Sequence, residues 1–396
     1  MSEAEPPEEF NPFKGMPIFG DLGKLFAQQT SSSWDNARQI AIAVATQGGA
    51  ESNVEPTQRI ALEELARVAE LQVSSVTGLT NVRSGKAASI VASTRTTWVS
   101  ATLEAYRPLL EPIAGASHRS DPLKTPLDDM SDPAEAMIGQ IMKMLGPALT
   151  SMTAGSMVGN LARRNLGQYD LPIPRDSAEI LVIPANIAQL ASEWSLDLSD
   201  LQLWVCLSEL THHTVLSVPH VGRRMQDLLE DYVASFEADP AALRHKLSDL
   251  DLANRDSLDN LESLWGDPEM MLGAIQSSAQ RALLPQITAL VSVIAGYVDW
   301  VVDSVGRNLI GSYQQLSEAL RRRRVSTGSA DRFIEKMLGL ELSQDHYDRG
   351  TAFVSGVLER AGGEGLARLW HTPKELPTPA EVEAPGLWLA RIDLAD

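Results

Sequence analysis

Ser208-Glu209-Leu210-Thr211-His212-His213 lies in the middle of an amphipathic segment, and the reading of this stretch decides the fold. It has the outline of H-E-x-x-H, a helix motif in which two imidazoles on one face hold zinc and the glutamate serves as general base. Serine stands where the first histidine belongs. Glu209 and the second histidine, His212, keep their places three residues apart, which makes them neighbours on a helix face.

The flanking residues supply the helix. Ser199 with Gln202 three residues on makes a capping-box pattern, and Asp197 and Asp200 place negative charge at the positive helix end. An apolar face runs Leu201, Val205, Ser208, His212, Val215, and Pro219 closes the segment. The pattern predicts a helix over 199–218 with Glu209 and His212 at or near its buried side. Cys206 falls on another face and reads as a small buried hydrophobe.

Outward from this helix the chain is mainly α. Tyr169 to Pro174 reads as extended, because each proline biases its predecessor away from helix. Ile180 to Ile183 is a short apolar run, so at most a small β-sheet is expected before the motif helix. Helices are predicted at Trp34–Thr46, from the Glu55-Pro56-Thr57 start signal through Val73, and at Thr96–Leu110. Residues 1–10 read as disordered, 11–114 as an N-terminal helical region and 115–133 as a loop or linker, with the motif helix in the remainder, 134–396. Phe19, Leu22, Leu25 and Phe26 give a short helix near the start. Within Ala134–Leu166, Gly155 and Gly159 stand four apart, a spacing that lets helices approach closely, and Met152 and Met157 read as core fillers.

Composition sets bounds. The 396 residues carry a formal net charge of −19, which argues against nucleic acid as a partner, since phosphate neutralisation needs clustered Lys and Arg. The acidic, proline-bearing N-terminus lacks the pattern of a signal peptide, and the single cysteine fits a reducing compartment, so a cytoplasmic location is expected. Ile287 to Val302 is the most apolar long stretch. Gly296 and Asp299 interrupt it and Asp303 follows, so it reads as a buried core helix and no membrane span is expected.

Other chemistry finds little support. His118, His213, His220, His245, His346 and His371 read as surface or packing residues, with His213 the one nearest the motif and His220 able to cap its helix. The run Arg321 to Arg324 ends a helical segment from Tyr313 and reads as a surface cluster favouring the helix dipole. A ferritin-like diiron site needs Glu-x-x-His twice, and no second copy is present. No phosphate loop, dinucleotide fingerprint or serine-nucleophile elbow is found.

Taken together, Asn11-Pro12-Phe13, Phe19 to Leu22, Trp34 with Ala37-Arg38-Gln39, Leu62 to Leu65, Leu166 to Asp170 and Pro184 to Ile187 form an ordered set. The Trp204–His213 helix, Gly296 to Asp299, Arg321 to Arg324, Leu338 to Leu340 and Leu387 to Arg391 continue it. On these the chain resembles the actinobacterial zincin-like hydrolases, also labelled zinc-dependent metalloproteases, some named for association with deazaflavin-cofactor biosynthesis. The resemblance covers nearly the whole length and implies a zincin-like helical domain over 134–396. It implies Glu209 as the catalytic base and His212 as a zinc ligand. It also implies two departures: Ser208 at the first ligand position, and Ala295 where a glutamate precedes the Gly-Tyr pair. A histidine often found shortly after is Trp300 here.

Two readings follow. In one, zinc is held by His212 with His213 or Asp299, and Glu209 activates water to cleave an amide. In the other, which we favour, the zinc site is impaired or absent, and the scaffold binds a peptide or protein partner, itself or a paralogue. Glu209 and His212 would then form a hydrogen-bonded pair, with Trp204 and Tyr297 filling the former metal cavity.

Overall fold

The structure is a computed structural model and describes residues 33–83, 85–119, 151–236, 277–325 and 334–394. The expectations for residues 1–10, the helix at Phe19–Phe26, residues 120–150, the side chain of His118 and all of His245 lie outside them. The chain runs α1 (Ser33–Thr46), α2 (Pro56–Thr77), β1 (Val82–Arg83), β2 (Lys86–Ala87), β3 (Ser89–Ala92) and α3 (Arg95–Arg119). Then come α4 (151–164), β4 (Glu179–Val182), α5 (Pro184–Trp194), α6 (Leu198–Ser217) and α7 (Pro219–Ala234). The last part holds α8 (Ser278–Leu309), α9 (Tyr313–Val325), α10 (Gln344–Ala367), α11 (Pro379–Val382) and α12 (Pro385–Asp393).

The fold is mainly α, as the sequence predicts. β3 and β4 form a small parallel pair just ahead of the motif helix, with Ile90 opposite Ile180 and Val91 opposite Leu181. β1 and β2 make a two-residue antiparallel pair beside it. α3 continues across position 115 to Arg119.

α6 is the motif helix, and it sits at the centre, packed against α2, α5, α7 and α8. Its start differs in one detail from the predicted capping box. Asp197, not Ser199, is the N-cap, its carboxylate accepting from the Asp200 N–H at 2.9 Å. A carboxylate at the N-cap combines the hydrogen bond with the favourable dipole interaction, so the cap lies two residues earlier and the helix begins at Leu198, one residue before the predicted start. The helix is also less one-sided than expected. Cys206, Leu207, Leu210, Thr211 and His213 are buried along with Leu201, Val205 and Val215, because helices cover several sides of it.

α8 opens with a capping box between Ser277 and Gln280 and packs most extensively on α10. Among the described residues it is the one helix long and apolar enough to cross a membrane, and 61% of that apolar window is buried in the fold. Its covering by α6, α7 and α10 is what a core helix requires. Gly155 and Gly159 do sit at a close helix crossing, since a methyl group on them would come within 2.6 Å of the Ala37 carbonyl oxygen and 2.7 Å of that of Ala41. Met157 is buried as expected, but Met152 is 49% exposed, five residues away and on the outward side of the same helix.

Candidate functional site

The motif helix presents Ser208, Glu209 and His212 to a cleft of about 80 Å³, which Ala295 of α8 also lines. The opposite wall is the segment Leu166 to Asp170. This segment is held on every side: the Trp98 indole donates to the Gly167 carbonyl at 2.9 Å, and Leu181 N–H donates to the Gln168 side chain at 2.9 Å. Asp170 accepts from its own Leu166 N–H at 2.7 Å.

Glu209 is turned into this segment. Its carboxylate accepts from the Gln168 N–H at 2.7 Å and from the Tyr169 N–H at 3.0 and 3.2 Å. Gly167 makes the approach feasible, because a Cβ there would overlap the Glu209 carboxylate. Burial pushes the Glu209 carboxyl up to about 8, reinforced by the charge of Asp170; the backbone N–H groups and Arg175 act the other way. Glu209 therefore bonds to Gln168 and Tyr169 and not to His212, which replaces the pair expected between them. The backbone amides offer fixed donors one segment away, whereas the imidazole is engaged elsewhere.

That engagement fixes the tautomer of His212. Its Nδ1 lies 2.9 Å from the Ser208 carbonyl oxygen, which can only accept, so Nδ1 carries the proton and Nε2 holds the lone pair. Burial depresses its pKa to about 4, opposed by the Ser208 bond and helped by the nearby Arg324 cation, so the ring is neutral at pH 7. The Tyr169 ring stacks parallel to it at 6.1 Å. His213 is fully buried on the other side of Tyr169, whose hydroxyl is 2.8 Å from its Nδ1.

The remaining candidates are drawn into other interactions. Asp299 forms a two-pronged ion pair with Arg324, at 2.7 and 2.6 Å. Burial opposes the charge on Arg324, but Asp299 holds its pKa above the usual arginine value. The guanidinium also lies 6.0 Å from the Trp204 ring and 5.3 Å from that of Tyr347. Arg323 donates to the Arg164 carbonyl at 2.6 Å and approaches Asp170 at 3.4 Å. The arginine run is thus no simple surface cluster: Arg321 and Arg322 face solvent, while Arg323 and Arg324 turn into the cleft. A basic run reads as solvated from sequence, and the buried carboxylate that draws it in lies on a different helix.

Trp204 lines the cleft as expected, but Tyr297 packs instead against Trp300 and Trp370 at 5.4 and 5.0 Å. Its position, two residues past Ala295, faces it away from the motif helix. Cys206 is fully buried, its thiol pushed up to about 12 by burial and the neighbouring Glu209. His220 opens α7, and His346 takes part in the α10 capping box. Sequence reasoning did not name Tyr347, read Arg324 only as part of a surface run, and read Tyr169 only as the start of the extended Asp-Leu-Pro-Ile-Pro segment.

Zinc in such a cleft would need three protein ligands. Ser208 offers a neutral hydroxyl and Ala295 no donor. Asp299 is held by Arg324, and Glu209 by the backbone. Asp170 also lines the cleft but accepts from the Leu166 N–H and lies 3.4 Å from Arg323, which leaves His212 Nε2 as the imidazole lone pair there. No three His, Cys, Asp or Glu side chains gather into a metal-binding group among the described residues. As placed, these donors do not converge into a three-ligand zinc set among the described residues.

With fold and cleft in view, comparison with known proteins places the chain. The sequence pattern of zincin-like metallopeptidases matches residues 33–389, and the chain belongs to that family. The chain is similar to a crystal structure described as "a putative hydrolase with a novel fold" from Chloroflexus aurantiacus. That likeness has a TM-score of 0.63 at 24% identity, covers 92% of this chain and 99% of that one, and concerns the fold. The search of curated proteins gave no match.

Proposed function

We propose that this protein is a zincin-fold family member whose zinc site is impaired, and that it acts by binding a peptide or protein partner in place of hydrolysing one. The observation that carries this reading is the placement of Glu209. A general base must face the water it deprotonates, yet this carboxylate is spent on the Gln168 and Tyr169 N–H groups. Ser208 and Ala295 support the reading, since they stand where the resemblance calls for ligands. The cleft, with its Trp204 and Tyr347 rings and the His212 lone pair, is the part of the surface we assign to the partner.

Metal content of protein purified in chelator-free buffer tests this directly. The expected outcome is well under one zinc per chain, with an unfolding midpoint unmoved by added zinc. Stoichiometric zinc, or a midpoint that rises with zinc and falls again with chelator, would restore the hydrolase reading.

A further inference from the structure

A second polar cluster lies outside the residues that line the cleft, and of it only the charge of its arginine, felt by Glu209, has entered above. Arg175 follows the Pro172-Ile173-Pro174 run and is 2% exposed. Its guanidinium lies 4.4 Å over the ring of Tyr106 on α3, and its Nη2 reaches the Thr102 hydroxyl only at 3.5 Å. Its Nε and Nη1 are buried without a well-formed hydrogen bond, and so is the Tyr106 hydroxyl, although the guanidinium is near enough to that phenol to favour its ionised form. An arginine does not lose its proton, so the charge stays, and burying it without hydrogen-bond partners is costly. The ring contact offsets only part of that cost.

The neighbouring carboxylates do not fill the gap. Glu209 bonds to Gln168 and Tyr169, and Asp170 bonds to Leu166 and Arg323. Burial raises the Tyr106 phenol above its ordinary value, so it remains a donor. Unmet N–H and O–H donors around a fixed positive charge call for an acceptor that is itself negative. Water would satisfy the donors but not the charge.

We propose that Arg175 and Tyr106 form a buried binding site for a small monovalent inorganic anion of the size of chloride. The guanidinium supplies charge and N–H donors, the phenol supplies an O–H donor, and the burial of both groups favours a small singly charged ion.

The test uses the full-length chain. Thermal unfolding is followed in sodium chloride against sodium gluconate at equal ionic strength, and bromide is soaked into crystals and located by its anomalous scattering. The midpoint is expected to rise and saturate with chloride but not with gluconate, and bromide is expected beside Arg175 Nε and Nη1. Tyr106→Phe keeps the ring and removes one donor, so half-saturation should need about tenfold more chloride. Arg175→Met should abolish the dependence, and should it fail to fold, Tyr106→Phe and the bromide position still decide. Ordered water alone beside Arg175, equal midpoints in the two salts, or unchanged half-saturation in Tyr106→Phe would each overturn the proposal.

Discussion

Glu209 stabilises a loop with the same carboxylate that a working zincin would keep for water. Replacing it separates charge from hydrogen bonding. Glu209→Ala leaves the Gln168 and Tyr169 N–H groups buried and unpaired, which should cost about 2–4 kcal/mol in urea unfolding, whereas Glu209→Gln keeps an acceptor and should cost about 1 kcal/mol. The raised pKa adds a pH signature. A carboxyl that titrates near 4.5 when unfolded and about 8 when folded holds its proton more tightly in the native state. Its contribution is complete below pH 4.5 and is lost as pH rises toward 8. Glu209→Gln has no such loss, so its stability deficit relative to wild type should shrink between pH 5 and pH 8. Parallel curves for the two proteins would show that Glu209 does not titrate there. Gly167→Ala should mimic the loss of Glu209, by pushing the carboxylate off its two donors.

Among the elements, α8 and α9 are joined at the cleft by Asp299 and Arg324, whose side chains are about one-fifth exposed. Breaking such a pair from one side leaves a charge stranded, so Asp299→Asn and Arg324→Met should each cost about 3 kcal/mol, and the double variant less than their sum. The same pair shows where sequence reading stops. Helices with a proline start or an apolar period were legible: Ser33–Thr46 and the motif helix lie within a residue or two of the pattern, and Pro56–Thr77 begins at its start signal but runs one turn past Val73. Ser89–Ala92 was not, since four residues become a strand only through a partner ninety positions away. Ser208, Glu209 and His212 share the cleft as the motif implies. What the motif could not carry is the direction of the Glu209 carboxylate, set by Gly167, or the inward turn of Arg324, set by Asp299. Both are long-range facts with no local periodicity.

For the whole molecule, one consequence follows from the pairing of β3 with β4. Residues 89–92 and 179–182 lie on either side of the stretch 120–150, and α2 and α3 on the first side pack against α6 and α7 on the second. Among the described residues, these parts hold each other through that helix packing and the β3–β4 pair. Two separately encoded pieces, divided near residue 135, should therefore find each other and co-purify when expressed together. Proline in place of Val91, whose N–H a strand pairing uses, should weaken that reassembly. The protein would thus tolerate a break in its covalent chain better than a break in its β3–β4 pair, and fragment complementation is the assay that reads the difference.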